Sequence, residues 1–306
     1  MNKLIFDIGA TNTKFALMSN EGEILAREEF RTDYSSVENY YASIASIALK
    51  YRDGADGIAI STNGRMDPAG EVYQAWTMKS LTGTSPRQET EKRVGLPVCV
   101  INDGSAAALG EFCRGAGRGA RNMMGIVLGS GMGGGLILDG KLYTGARNNA
   151  AMVFGMVNSF EPGCPDVAGV STAFSLLLYK LAAVKQLPPE TVTGEKFFDL
   201  YEDGDEAARQ LLSGYCRSVA MTVWNSAMLM DFDTIVVTGG LAARDVIIDG
   251  INNSLKEIVS SFTGSPEVGM LLNYTNADPR AFDISVKKGE LLLDANLFGA
   301  LHYLLS

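Results

Sequence analysis

The chain has 306 residues, 46% of them apolar and 20% charged, and a formal net charge of −9 at pH 7, which is long enough for two cores of ordinary size. The acidic balance argues against a partner held through a phosphate backbone, and no apolar run reaches the ~18–20 residues that cross a bilayer. The four cysteines, Cys99, Cys113, Cys164 and Cys216, are scattered, and His302 is the single histidine. A Cys/His zinc cluster and an H-E-x-x-H site are excluded, as is a Ser-His-Asp triad that does not recruit a residue from the end of the chain. Any general base must be sought first among carboxylates, Lys, Tyr or Cys. The first strand follows directly on Met1-Asn2-Lys3, which leaves no room for a signal peptide, so a cytoplasmic protein is expected.

In chain order, "LIFDIGATNTKFAL" (4–17) runs apolar into Asp7, turns through Gly9, Ala10, Thr11, Asn12 and Thr13, and runs apolar out again. A turn at Asn20-Glu21-Gly22 and a third strand follow. An amphipathic helix is expected over 35–51, buried strands over 57–62 and 98–103, and an Ala-rich helix over 105–114. The Gly/Arg-rich stretch "RGAGRGARN" (114–122) is the natural boundary. Beyond it, "MMGIVLGSGMGGGLILDGKLYTG" (123–145) repeats the opening plan, with Gly129, Ser130, Gly131, Met132 and Gly133 as its turn. A long amphipathic helix over 206–230, a strand at "TIVVTGG" (234–240) and a closing helix over 291–305 complete the pattern. Two similar halves of strands and helices predict an α/β fold of two domains, 1–115 and 116–290, facing a cleft, with helix 291–306 packing back on the first.

The two small-residue turns carry the chemistry. Small residues let backbone N–H groups approach a bulky anion and form a nest for its oxygens. Thr11, Asn12 and Thr13 add side-chain donors, and Lys14 adds a cation. One such turn is equally a plain hairpin, but two at matching points of two halves point to a nucleotide's phosphates held between them. Both turns join strand to strand, so neither the P-loop nor the dinucleotide-binding geometry applies. A carboxylate beside a phosphate nest is repelled unless a cation intervenes, so Asp7 is read as a Mg2+ ligand, directly or through water. In "VCVINDGSAAALGE" (98–111), Asp103 stands between a buried strand and a helix start, where it can cap the helix or act as a general base on a substrate hydroxyl.

Together these segments resemble the ROK family (repressor, open reading frame, kinase) of the actin-like, ribonuclease H-like superfamily. "DIGATNTK" is similar to the family's first phosphate motif and "LGSGMGGG" to its second. "STNGRMD" stands where the family has S-x-P-G-x-V-D, with Asn63 in place of Pro. "NDGSAAALGE" is similar to N-D-x-N-A-A-A-x-G-E, "VVTGG" to the adenosine-side I-x-G-G, and "TGEKFFDLYEDGDEAA" to T-G-x-x-I-F-E-x-A-x-x-G-D. The resemblance implies two actin-like α/β domains and transfer of a phosphoryl group from ATP, with Mg2+, to a sugar hydroxyl, usually the 6-OH of a hexose. By position it makes Asp103 the base and sets Asn102, Gly64 and Asn63 against the sugar. Gly9, Thr11, Asn12 and the 129–134 turn, Gly134 included, would hold phosphates, and Gly239 and Gly240 would line the adenosine pocket. Homodimers are common in the family.

The pattern breaks on the sugar side. The family's G-E-x-G-H is replaced by a segment with Val153 at the Glu and Met156 at the His. The zinc motif that follows is reduced to Cys164, so no structural zinc is expected, and Asp166 could stand in for a nearby family Glu. Trp76 fits either the family's sugar-side loop or ordinary core packing. A DNA-binding regulator is not expected, because the first strand starts at Leu4. The surviving alternative to a kinase is a catalytically impaired family member that binds sugar or nucleotide.

Overall fold

The computed structural model describes residues 1–275 and 282–306; residues 276–281 of the expected second domain lie outside the described residues. Strands β1 (Asn2–Ile8), β2 (Asn12–Met18) and β3 (Ile24–Arg31) form an antiparallel meander. Helix α1 (Val37–Tyr51), β4 (Ala55–Thr62), the short ribbon β5 (Arg65–Met66) and β6 (Val72–Gln74), α2 (Pro86–Val94), β7 (Val98–Asn102) and α3 (Asp103–Arg114) follow. They complete a five-stranded sheet in the order β3-β2-β1-β4-β7, with β1, β4 and β7 parallel.

The plan then recurs. A second meander, β8 (Met123–Leu128), β9 (Met132–Leu138) and β10 (Lys141–Tyr143), is followed by β11 (Val157–Ser159) and β12 (Asp166–Val167). Helices α4 (Ala168–Ser171), α5 (Phe174–Lys185), α6 (Gly194–Glu202) and α7 (Glu206–Met230) lead to β13 (Thr234–Thr238), α8 (Asp245–Gly264), α9 (Pro266–Thr275), β14 (Lys287–Lys288) and α10 (Ala295–Leu305). The second sheet, β10-β9-β8-β13-β14, has the same order and the same parallel core as the first. The mixed α/β architecture read from the sequence is therefore present, with each sheet carrying one of the two glycine turns.

Local chemistry explains the elements. β1 and β4 are near-continuous apolar runs because both faces of their sheet are covered. Ser36 caps α1 by accepting the Asn39 N–H, and Asn102 caps α3 by accepting the Ser105 N–H. That cap starts α3 at Asp103, two residues before the Ala-rich run that marks it in the sequence. α10 begins at Ala295 rather than Leu291, because Leu292–Asp294 forms a 3₁₀ turn first.

α3 and α10 lie against each other between the sheets, α3 also packing on β8 and β9, and α10 on β1 and β4. They can do so only because they meet at glycine. A Cβ on Gly299 would lie 1.7 Å from the Ala106 carbonyl oxygen, and one on Gly110 would lie 2.0 Å from that of Ala295. Beside this crossing the fully buried Glu111 carboxylate accepts hydrogen bonds from Thr238 Oγ1 (2.8 Å) and from the N–H groups of Ala116, Glu290, Leu291 and Leu292 (3.0–3.1 Å). One side chain thus ties α3 to the end of β13 and to the turn before α10. Gly299→Ala is expected to force the helices apart and lower unfolding free energy by about 1–3 kcal/mol, the usual cost of overpacking. Guanidinium denaturation checks this; an unchanged midpoint would mean that the crossing is looser than described.

Candidate active site

The C-terminal ends of β1, β4 and β7 and the β8–β9 turn converge on one cavity of about 640 Å3. Gly9, Ala10, Asn63, Asp103 and Gly104 line it from the first half of the chain. Gly129, Ser130, Gly131, Met132 and Gly133 line it from the second. A wider, shallower depression of about 780 Å3 lies near Phe112, Arg118 and His302, at the other ends of α3 and α10. Its lining includes no carboxylate and neither of the two matched glycine turns.

Both turns are tighter than the sequence suggests. The Gly9 N–H donates to the Asn12 carbonyl at 3.0 Å, and the Gly129 N–H to that of Gly131 at 3.0 Å. Strand β2 is already under way at Asn12. Thr13 is consequently buried, its hydroxyl 2.9 Å from that of Thr32, and it does not line the cavity. Asn12 is exposed and donates to Glu29 at 2.7 Å. Thr11 lines a neighbouring hollow with Ala10 and Tyr34, whose hydroxyl donates to the Gly9 carbonyl at 3.0 Å. Lys14 donates to the Leu293 carbonyl at 2.8 Å. Gly134 lies behind the turn, its backbone against Gly104.

Asp103, the first residue of α3, is half-buried, and its Oδ1 accepts the Gly104 N–H at 2.8 Å. Burial pushes its carboxyl up to about 6; the Gly104 bond opposes this and the charge of Asp7 adds to it. Asn102 is committed to structure. Its Oδ1 caps α3, and its Nδ2 donates to the Gly64 carbonyl at 3.3 Å. Gly64 itself has φ +102°, and a Cβ there would meet the Gln74 carbonyl at 2.9 Å, so no other residue fits this turn without strain. Asn63 lines the cavity and accepts a hydrogen bond from Thr77 at 3.1 Å.

Asp7 pairs with Lys14 across the β1–β2 ladder. Its Oδ1 accepts from Ser61 Oγ at 3.1 Å and from Asn296 Nδ2 at 2.9 Å. Burial raises its carboxyl above the ordinary value, and the Lys14 charge and these two bonds oppose that rise. Among the described residues Oδ2 has no hydrogen-bond partner, and no group of three or more His, Cys, Asp and Glu comes together. Gly239 and Gly240 are not in the cavity lining. They follow β13, where Gly239 packs on the Leu128 backbone just before the second turn, and Gly240 lies beside Leu293.

The far wall is apolar. Trp76, 44% exposed, meets Phe154 edge to face at 5.1 Å, so a residue of each half joins across the cavity. Val167 and Val170 extend this surface. The Arg65 guanidinium lies over the Phe154 ring at 5.5 Å, and Asn149 donates to the Tyr73 hydroxyl nearby. Asp166 does not line the cavity, although its neighbour Val167 does. Val153 is in the core and Met156 packs against it, so Phe154, between them, is the cavity residue of this segment. Cys164 is exposed and unpaired. Sequence reasoning missed Phe154, Ser61 and Asn296. Only Asn296 carries a signal, as a polar residue beside Ala295 at the start of an otherwise apolar helix.

These features define an actin-like α/β protein in which one cavity is shared by two related halves. The chain belongs to the ROK family, whose model matches residues 4–279. It is 31% identical over 257 residues to the bifunctional enzyme NanE/NanK of Brucella melitensis, covering 82% of this chain and 48% of that protein. It is 28% identical over 244 residues to the beta-glucoside kinase of Klebsiella pneumoniae, covering 78% and 82%. A ROK family protein from Streptococcus pneumoniae solved with sucrose shares the fold at a TM-score of 0.83 and 21% identity, covering 100% of this chain and 98% of that one. A ROK family glucokinase from Streptomyces griseus solved with glucose and AMPPNP does so at 0.78 and 23%, covering 99% of each. No described helix is long and apolar enough to cross a membrane.

A carboxyl raised on folding favours the folded state fully below its unfolded value near 3.8, and that benefit is lost as pH rises through about 6. Asp103→Asn removes the penalty of an ionised, buried group. The variant is therefore expected to gain about 2–3 kcal/mol relative to wild type between pH 4 and pH 7.5, about 1.4 kcal/mol per pKa unit. Urea denaturation of both proteins at the two pH values measures it; parallel curves would refute the assignment.

Proposed function

We propose that the protein is an ATP-dependent sugar kinase that transfers the γ-phosphoryl group to a hydroxyl, the 6-OH, of a hexose or hexose derivative. The observation that carries this reading is the shared cavity, where both glycine turns and Asp103 face the same space. The names of the related kinases and of the glucokinase solved with a nucleotide analogue support it.

Phosphoryl transfer needs positioning and charge neutralisation more than covalent chemistry. Apart from those of Gly9 and Gly129, which close their own turns, backbone N–H groups of the two glycine turns hold the phosphates, and the adenosine extends toward Gly239 and Gly240. Asp103 accepts the proton of the attacking hydroxyl. Its raised affinity for a proton makes it a stronger base than an ordinary carboxylate, while it remains ionised at neutral pH. Asp7 is not itself in the cavity lining but is bonded to Asn296, which is. With one oxygen tied and the other without a hydrogen-bond partner among the described residues, it suits a hard divalent cation that takes one or two carboxylates and completes its shell with water and phosphate. When bound there, Mg2+ would neutralise charge on the phosphate oxygens. The two units, 1–115 with α10 and 116–290, close on the substrates, and the protein acts in the cytoplasm.

The Trp76–Phe154 surface favours a hexose carrying an apolar or bulky group near C1, such as a β-glucoside, over a free sugar read through its hydroxyls. A second reading, a binding module without turnover, draws on the same wall, because Asp103 is the only carboxylate among the described residues that line the cavity.

A coupled ADP-release assay with Mg-ATP over glucose, fructose, mannose, N-acetylmannosamine, N-acetylglucosamine, cellobiose and gentiobiose tests the proposal. Turnover is expected on at least one sugar. Asp103→Asn should lose at least ~10²-fold in kcat, as expected for removal of a general base. ATP binding without turnover on any sugar would favour the binding module, and an unimpaired variant would remove Asp103 from the mechanism.

A further inference from the structure

Asn296 is the one residue of α10 in the cavity lining, and it comes from far along the chain. Its Nδ2 lies 2.9 Å from Asp7 Oδ1, 3.2 Å from Ser61 Oγ and 3.4 Å from the Asp103 carbonyl oxygen. A single amide thus touches the ends of β1 and β4 and the start of α3. The turn before it is fixed on several sides. Glu111 accepts the Glu290, Leu291 and Leu292 N–H groups, the Leu293 carbonyl accepts Lys14, and Asp294 is paired with Arg27 at 2.6 Å. The backbone leading into Asn296 is thus held in place, and the amide is presented to Asp7 from a fixed point.

We infer that Asn296 is a positioning residue: by holding Asp7 Oδ1 with the same amide that reaches the Asp103 carbonyl, it leaves Asp7 Oδ2 available to the divalent cation that accompanies the nucleotide. This rests on the kinase reading for the presence of nucleotide and cation, but it concerns a different residue and a different measurable step. Partners that orient a ligating carboxylate typically change metal affinity or activity by about 10- to 100-fold when removed. Among the described residues Asn296 makes no hydrogen bond to the apolar wall or to the glycine turns, so nucleotide and sugar affinity should change little beside metal affinity.

The test uses Asn296→Ala and Asn296→Leu, the second filling the space of the lost amide if the first does not fold, with thermal denaturation to confirm the folded state. Mn2+ binding in the presence of ADP is followed by electron paramagnetic resonance, beside kcat and KM for ATP and sugar. The expected result is Mn2+ affinity reduced at least ~10-fold, ADP affinity without metal unchanged, kcat lowered with sugar KM retained, and partial recovery of kcat at high Mg2+. Unchanged Mn2+ affinity, whether or not kcat falls, would overturn the inference and leave the kinase reading standing. Failure of the wild-type protein to bind Mn2+ with ADP would overturn both. Turnover is not needed for the binding measurement, so a chain that binds but does not phosphorylate still tests Asn296.

Discussion

Helices α3 and α10 approach each other to backbone contact at Gly110 and Gly299, and each also lies on a different sheet. That contact fixes how far apart the sheets stand, and hence the width of the cavity above the helix N-termini. Glu111 reinforces it from below. Five donors satisfied by one buried carboxylate offset its desolvation, and loss of the carboxylate would leave the buried Thr238 hydroxyl unsatisfied, at about 1–3 kcal/mol. The arrangement also directs the positive ends of two helix dipoles toward the space assigned to phosphates. The site is therefore built by long-range packing, and its two halves share it because two helices share a groove.

Much of the fold was legible because it is local. Alternation of apolar strands with short polar turns revealed both meanders, and their similarity across about 120 residues revealed the duplication. Helix α7 could be delimited to the residue, since Asp205 caps one end and a left-handed Asp231 stops the other. Ends set by hydrogen bonds rather than by apolar spacing were less visible. α3 begins with its cap at Asn102, and α10 waits for the 3₁₀ turn that Glu111 holds.

The site was legible where chemistry lies on backbone turns and obscure where it depends on which way a side chain points. Gly9, Gly129 and Asp103 meet as their positions suggest, whereas Thr13, one residue beyond the first turn, faces the core because side chains alternate along a strand. In the 3₁₀ turn Val153–Gly155, rotation of successive side chains about the axis hides Val153 and turns Phe154 to the cavity. Ser61 and Asn296 reach Asp7 only through tertiary packing, across more than fifty residues in one case and nearly three hundred in the other. Local pattern carries no information about such a meeting.

The ring pair on the apolar wall of the cavity joins the two halves as well as offering a surface. An edge-to-face contact contributes about 0.5–1.5 kcal/mol, enough to bias an open–shut equilibrium by roughly two- to tenfold and no more. Trp76 and Phe154 therefore make only a weak link between the two halves. A contact of that size is within reach of thermal motion, so a bulky molecule displacing it would need no dedicated opening signal.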